Sequence, residues 1–173
     1  MGAPLVTNTN VNYTNYYNLI NFFAEYMAQH TSITQVSNED IEDFDEREFP
    51  NYPVANVTIP GTRFRDTTTE WDINILIADK YKNKNNESNP TTNEQTVPFY
   101  QEEDKMDVWA NLLAIVNDVT AFIQRGVTGF DVITDIKCVQ FHERFDSGLA
   151  GWVVTFTLIT HNNKNRCLFE LYP

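Results

Sequence analysis

Apolar and polar positions along the chain alternate in two distinct periods. Tyr16, Leu19, Ile20, Phe23, Tyr26 and Met27 recur every three or four residues, the spacing of one helix face. Thr14 is the expected N-cap, because its hydroxyl can accept from an otherwise unpartnered amide of the first turn. The pattern ends near His30. Residues 33–36 then read as a short strand. After a polar, acidic segment punctuated by Pro50 and Pro53, residues 54–59 read as a strand and Pro60-Gly61 as a turn. Residues 67–78 alternate strictly, with Trp71, Ile73, Ile75 and Ile77 on one face and Asp72, Asn74 and Leu76 on the other. The two runs, joined through residues 61–66, predict a long hairpin.

A second helix is predicted over residues 104–125. Asp104 and Asp107 in its first turn and Arg125 in its last complement the helix dipole. Gly126 follows where a left-handed residue closes a helix cheaply. Trp109, Leu112, Leu113, Val116, Val119 and Ile123 form its expected core stripe. Met106, Ile115 and Phe122 widen the apolar surface beyond what one sheet face needs, which predicts a second contact with a neighbouring subunit. Residues 132–143 and 149–160 read as two more strands, joined by 144–148. Trp152, Val154, Phe156 and Leu158 make an inward row in the second. In the first, the apolar phase slips from Val132, Thr134, Ile136 and Cys138 to Val139 and Phe141, as a bulge or a strand buried on both faces would require. Residues 167–172 could add a terminal strand.

The order helix, strands, helix, strands predicts an α+β fold with a mostly antiparallel sheet packed with two main helices. One domain is expected over residues 14–173, after a polar leader at 1–13. Residues 83–95 contain no apolar side chain and read as a mobile polar arm.

Composition narrows the chemistry. At 42% hydrophobic residues, the chain has enough apolar mass for a real core. No run of 18 apolar residues predicts a membrane span, and the first residues do not have the pattern of a signal peptide. Cys138 and Cys167 are too few for a disulfide framework and are expected to be reduced thiols. Twenty-four acids against 12 bases give a net charge of −12, which argues against gripping nucleic acid through phosphate contacts.

No catalytic signature emerges. Cys138 and His142 share a strand face but stand roughly 13 Å apart, too far to hold one metal ion. Asp40, Asp43 and Asp45 lack the turn glycine and terminal glutamate of a calcium loop. Gly61-Thr62-Arg63 is not a phosphate-binding loop, and no nucleophile elbow occurs. Ser147, His142 and Asp146 supply the residue types of a triad but crowd one hairpin. The sequons at Asn12, Asn56 and Asn86 matter only in a secreted chain. Neither cofactor nor enzymatic activity is expected.

The assembled pattern nonetheless resembles a known family. Its carriers are Thr68-Thr69-Glu70-Trp71-Asp72-Ile73-Asn74-Ile75-Leu76-Ile77-Ala78-Asp79, Met106-Asp107-Val108-Trp109-Ala110-Asn111-Leu112-Leu113-Ala114-Ile115-Val116-Asn117-Asp118-Val119, and Leu149-Ala150-Gly151-Trp152. Over most of residues 14–161 the order resembles the tail-terminator and neck-completion proteins of tailed bacteriophages. More narrowly, it is similar to the ring proteins of the tail barrel in crAss-like phages. That resemblance implies a structural virion protein of the neck or tail, assembled in the host cytoplasm. It also implies self-association in a closed, twelve-fold ring contacting portal, neck or tail ring proteins, with double-stranded DNA passing through without specific binding.

Under that reading the acidic stretch Glu39, Asp40, Glu42, Asp43, Asp45, Glu46 and Glu48 is the candidate channel lining. Arg63 and Arg65 are candidates for pairing with acids of an adjacent subunit, alongside Met106, Ile115 and Phe122 as interface residues. The family's terminators are commonly shorter, so the leader, acidic segment and polar arm look like elaborations that favour a place among stacked rings. The rival reading is a small monomeric or dimeric α+β domain enclosing a ligand.

Overall fold

A computed structural model describes residues 16–39, 51–81, 103–126, 130–132, 135–142 and 148–161. Its elements are α1 (Tyr16–Ala28), β1 (Gln35–Ser37), β2 (Val54–Phe64), β3 (Thr68–Lys80), α2 (Glu103–Gln124), β4 (Asp131–Val132), β5 (Lys137–His142) and β6 (Leu149–His161). The fold is α+β, as the residue periods predict. The six strands form one mixed sheet ordered β1-β2-β3-β6, beyond which β4 and β5 lie along β6. Every pairing is antiparallel except β1 with β2.

Both helices cover the same face of the sheet. α1 packs on β1 and β2, and α2 on β3, β5 and β6. Leu19, Phe23 and Met27 from α1 meet Ala55, Val57, Trp71, Ile73, Ile75 and Ile77 of the hairpin. Val154, Phe156 and Leu158 complete that face, as the predicted inward row requires. Strict alternation in β3 breaks at Leu76, which is buried on the far face with Val54, Ala78, Phe141 and Leu149. Trp71 Nε1 donates to Thr160 Oγ1 at 2.9 Å inside the core. Leaving that indole donor unpaired would cost about 1–3 kcal/mol.

Several predicted boundaries change for physical reasons. β2 runs straight through Pro60-Gly61, so no turn lies there. The pairing shifts between Thr58 and Gly61, where β2 advances one residue more than β3, a β-bulge. Among the described residues β1 pairs only with residues 54–56, leaving no strand beside β2 at Pro60, and a bulge on such an edge suits a residue without an N–H. The reversal instead falls at residues 65–67, closed by Arg65 N donating to Thr68 O at 2.8 Å.

The expected strand over 132–143 is interrupted. Between the pairs Val132–Leu158 and Lys137–Thr155, the edge advances five residues while β6 advances three. The two extra residues make an irregularity, but not the one-residue bulge offered for the phase slip, which would carry the later side chains to the opposite face. An even excess leaves the facing unchanged, so Val139 and Phe141 are turned to the sheet's far side. There Phe141 is buried and Val139 is 62% exposed. Burial on both faces is therefore wrong for this strand.

α2 ends at Gln124, one residue short of Arg125, and Gly126 closes it at φ +76°. α1 ends at Ala28, and Tyr16 is exposed at its start rather than part of the buried stripe. Thr14, the 1–13 leader, the 83–95 arm and the 167–172 strand lie outside the described residues.

Candidate assembly surfaces

The tip of the β2–β3 hairpin holds the densest charge network among the described residues. Because the bulge inserts one residue, odd positions of β2 change face beyond it, and Arg63 comes to stand beside Glu70 and Asp72 on the helix-free side. Arg63 Nη1 reaches Glu70 Oε2 at 3.3 Å and its Nη2 reaches Asp72 Oδ2 at 2.9 Å. Arg65 Nε donates to Glu70 Oε1 at 2.9 Å. Thr157 Oγ1 donates to the second Asp72 oxygen at 2.8 Å. Gly61 makes room for this arrangement, since a Cβ there would stand 2.9 Å from Asp72 Oδ2.

The Arg65 hydrogen bond is the largest influence holding the Glu70 carboxyl below its usual range, with Arg63 adding to it against desolvation. Arg65 is correspondingly raised by its bond to Glu70. Sequence reasoning reserved both arginines for an adjacent subunit, but the structure gives each of them partners within its own hairpin. Both side chains nevertheless remain more than half exposed, and Phe64 between them is 69% exposed.

α2 divides the predicted interface set. Ile115 is only 3% exposed and belongs to the core with Leu112, Val116, Val119 and Ile123. Phe122 is half-buried, its ring stacked on Tyr26 at 3.7 Å and on Phe22 at 5.9 Å. It therefore joins the two helices of one chain. Nearby, Tyr26 Oη donates to the Asp118 carbonyl at 3.3 Å, and His30 Nε2 meets Asp118 Oδ2 at 3.3 Å. Burial first, then Asp118, raises the Tyr26 phenol above its ordinary value against the opposing Arg125.

Met106, the third residue expected at a subunit interface, is 50% exposed. Leu113, expected in the core, is 39% exposed instead. It lies about 100° around the helix from Leu112 and so falls off the buried stripe. With Met106, Ala110, Ala114 and Asn117 it forms an exposed, small and largely apolar stripe. By length and mean hydropathy alone α2 could cross a membrane, but its most apolar stripe is seated on the sheet.

At the far end of α2, Ile123, Phe130, Val132 and Ile136 floor an open hollow of about 350 Å³, with Asp131 and Asp135 among its walls. The amino-terminal part of α2 is fixed by two indoles. Trp109 Nε1 donates to Phe141 O at 3.1 Å, and Trp152 Nε1 donates to Trp109 O at 3.0 Å.

The remaining candidates carry little chemistry. His142 stands edge-on to Trp109 at 5.6 Å, and burial pushes the Cys138 thiol up, away from the thiolate form a ligand or nucleophile needs. Asp79 is likewise raised by burial, partly offset by the hydrogen bond from Lys80 N. Among the described residues no three His, Cys, Asp or Glu side chains are grouped to hold a metal ion. Of the candidate channel acids only Glu39 is described. Its carbonyl accepts from Asn56 Nδ2 at 3.0 Å, while Ser37 Oγ donates to Asn56 Oδ1, a buried clasp on the β1 edge that no sequence pattern signals. Asp40, Glu42, Asp43, Asp45, Glu46 and Glu48 lie outside the described residues, as do Asp146 and Ser147.

The described chain is thus an α+β domain with two helices on one sheet face and its distinctive features on its surface. It matches no family model and no curated protein.

Proposed function

We propose that this protein is a non-enzymatic virion subunit that forms a closed ring in the neck or tail barrel of a tailed phage. It would link portal to tail and surround the path of the genome. The observation that carries this reading is the divided surface of α2: one apolar stripe is consumed by the sheet, and a second, through Met106 and Leu113, is left outside. A ring subunit needs two unlike contact surfaces on its outside. The net charge of −12 fits a channel through which DNA slides without adhering. The resemblance of the hairpin, α2 and β6 sequences to tail-terminator and tail-barrel ring proteins supplies the place in the particle. The rival ligand-binding reading gains no support from the interior, where Phe23, Phe130 and Phe156 fill the space between helices and sheet.

Cryo-electron microscopy of particles carrying the protein, with mass spectrometry to establish its presence, is the direct test. A closed ring of this chain between portal and tail tip is the expected result. Absence of the protein from purified particles would defeat the proposal, and a ligand screen by thermal shift would then take its place.

A further inference from the structure

The turn that carries α1 into β1 is closed by one histidine. His30 O accepts from Ile33 N at 3.1 Å, and the imidazole folds back so that Nδ1 accepts from Ser32 N at 3.2 Å. A backbone amide can only donate, so Nδ1 carries no proton and the hydrogen of the neutral imidazole sits on Nε2. On that side Nε2 stands 3.3 Å from Asp118 Oδ2 of α2. The His30 side chain is 14% exposed, whereas that of Asp118 is open to water at 69%. Both nitrogens of a nearly covered imidazole are thus engaged, one by the turn and one by the second helix.

The two bonds respond oppositely to a second proton. It enters at Nδ1, where it faces the Ser32 N–H donor against donor. The bond to Asp118 becomes charge-assisted and stronger. The titratable groups around the imidazole are Asp118 from α2 and Tyr26 from α1, whose hydroxyl donates to the Asp118 carbonyl. Arg125 acts on that same phenol. Residues 31–37 and 53–59 carry no charge, so neither β1 nor the start of β2 offers the new proton an anion.

We infer that His30 is a proton-operated latch at the root of β1. Neutral, the imidazole closes the 30–33 turn and braces it against α2. Protonated, it keeps its hold on Asp118 and releases the Ser32 amide to water. The turn so freed leads into an edge strand of three residues. Thr34 also ties that entry to β2, its N and Oγ1 both donating to Pro53 O at 2.9 Å. α1 itself stays in place, since Leu19, Phe23 and Met27 are anchored in the core. The latch is contained in one chain and does not rest on the proposed assembly.

The test uses the full-length chain, labelled with nitrogen-15, in solution NMR. Long-range correlations within the His30 imidazole are expected to show the Nε2–H tautomer at the alkaline end of the titration. As the pH is lowered through the range in which histidines charge, about 8 to 5, the Ser32 amide should lose protection from hydrogen exchange. The expected loss is about fivefold after correction for the intrinsic rate, the worth of one neutral hydrogen bond.

Two variants bracket the response. In His30→Asn the side-chain carbonyl can accept from the amide two residues on without titrating, so the turn should stay closed at every pH. His30→Phe keeps an aromatic ring but no acceptor, and should leave the amide open at every pH. A wild type whose Ser32 protection ignores pH would overturn the latch, as would an Nδ1–H tautomer. An acid response that persists in His30→Phe would do the same. Circular dichroism checks folding, and if His30→Phe misfolds, His30→Asn carries the comparison, with a persistent acid response there equally fatal.

Discussion

Gly151 shows how one hydrogen atom can decide a ladder. It sits two pairs in from the Lys80–Leu149 end of the β3–β6 pairing, opposite Ala78, and a Cβ there would overlap the Ile77 carbonyl oxygen. A backbone atom in a paired strand cannot move aside as a flexible side chain could. Gly151→Ala is expected to cost about 1–3 kcal/mol, read as a lower urea midpoint. Glu70 and Asp79 make opposite claims on pH. The folded chain holds Glu70 below its unfolded value, so its contribution is complete above the ordinary glutamate range and is lost as pH falls through the lowered value. Asp79 is raised, so stability falls as pH climbs from the ordinary aspartate range through the raised value. Urea midpoints measured across the acid range should therefore separate the two. Glu70→Gln should reduce stability at neutral pH but not at the acid extreme, and Asp79→Asn should abolish the decline that Asp79 causes.

Among the elements, α2 carries the clearest contrast. Phe122→Ala removes a ring stacked on Tyr26 and Phe22 and is expected to destabilise the monomer by about 3 kcal/mol. Leu113→Asp touches the outer stripe and should leave stability within about 0.5 kcal/mol while reducing self-association. Chemical unfolding followed by sedimentation distinguishes the two effects. The helices, the hairpin and β6 were legible because their periods extend over many residues. The division of α2 was not, since Leu112, Leu113, Ile115 and Val116 are all apolar and only the angle around the axis tells Leu113 from the rest. Pro60-Gly61 misled for another reason: turn residues also suit a bulge on an unpaired edge, and nothing local tells the two apart. β1 falls at Gln35–Ser37, shifted from the expected strand over 33–36, and its parallel pairing with the distant residues 54–56 is what the sequence does not show. Of the candidate site, the residues Arg63, Arg65 and Met106 could be found from sequence. The partners Glu70, Asp72 and Thr157 and the hollow around Ile123 depend on register across strands, which no run of residues encodes.

At the scale of the whole molecule, the net charge of −12 opposes the approach of like copies. Copies that meet through the outer stripe of α2 should associate better at high salt, because repulsion between exposed charges is screened over about 8–10 Å at ordinary ionic strength. Association that strengthens with salt would point to the apolar stripe of α2 as the dominant contact. The proposed channel is tested separately. Reversing the charge of Asp43, Asp45 and Glu46 should leave particles intact yet slow genome release, measured as DNA ejection from purified virions, and unchanged ejection would remove the acidic stretch from the lumen.

The break between β4 and β5 bears on solubility as well as shape. A straight, unbroken outer strand would offer a continuous row of backbone donors and acceptors on which a neighbouring chain could crystallise as an added strand. Here the row is interrupted after two paired residues and resumes two residues out of step. If copies gather as the proposed ring requires, they are thereby discouraged from growing sheets end on end and are left to recognise one another through side chains, whose chemistry can specify a partner.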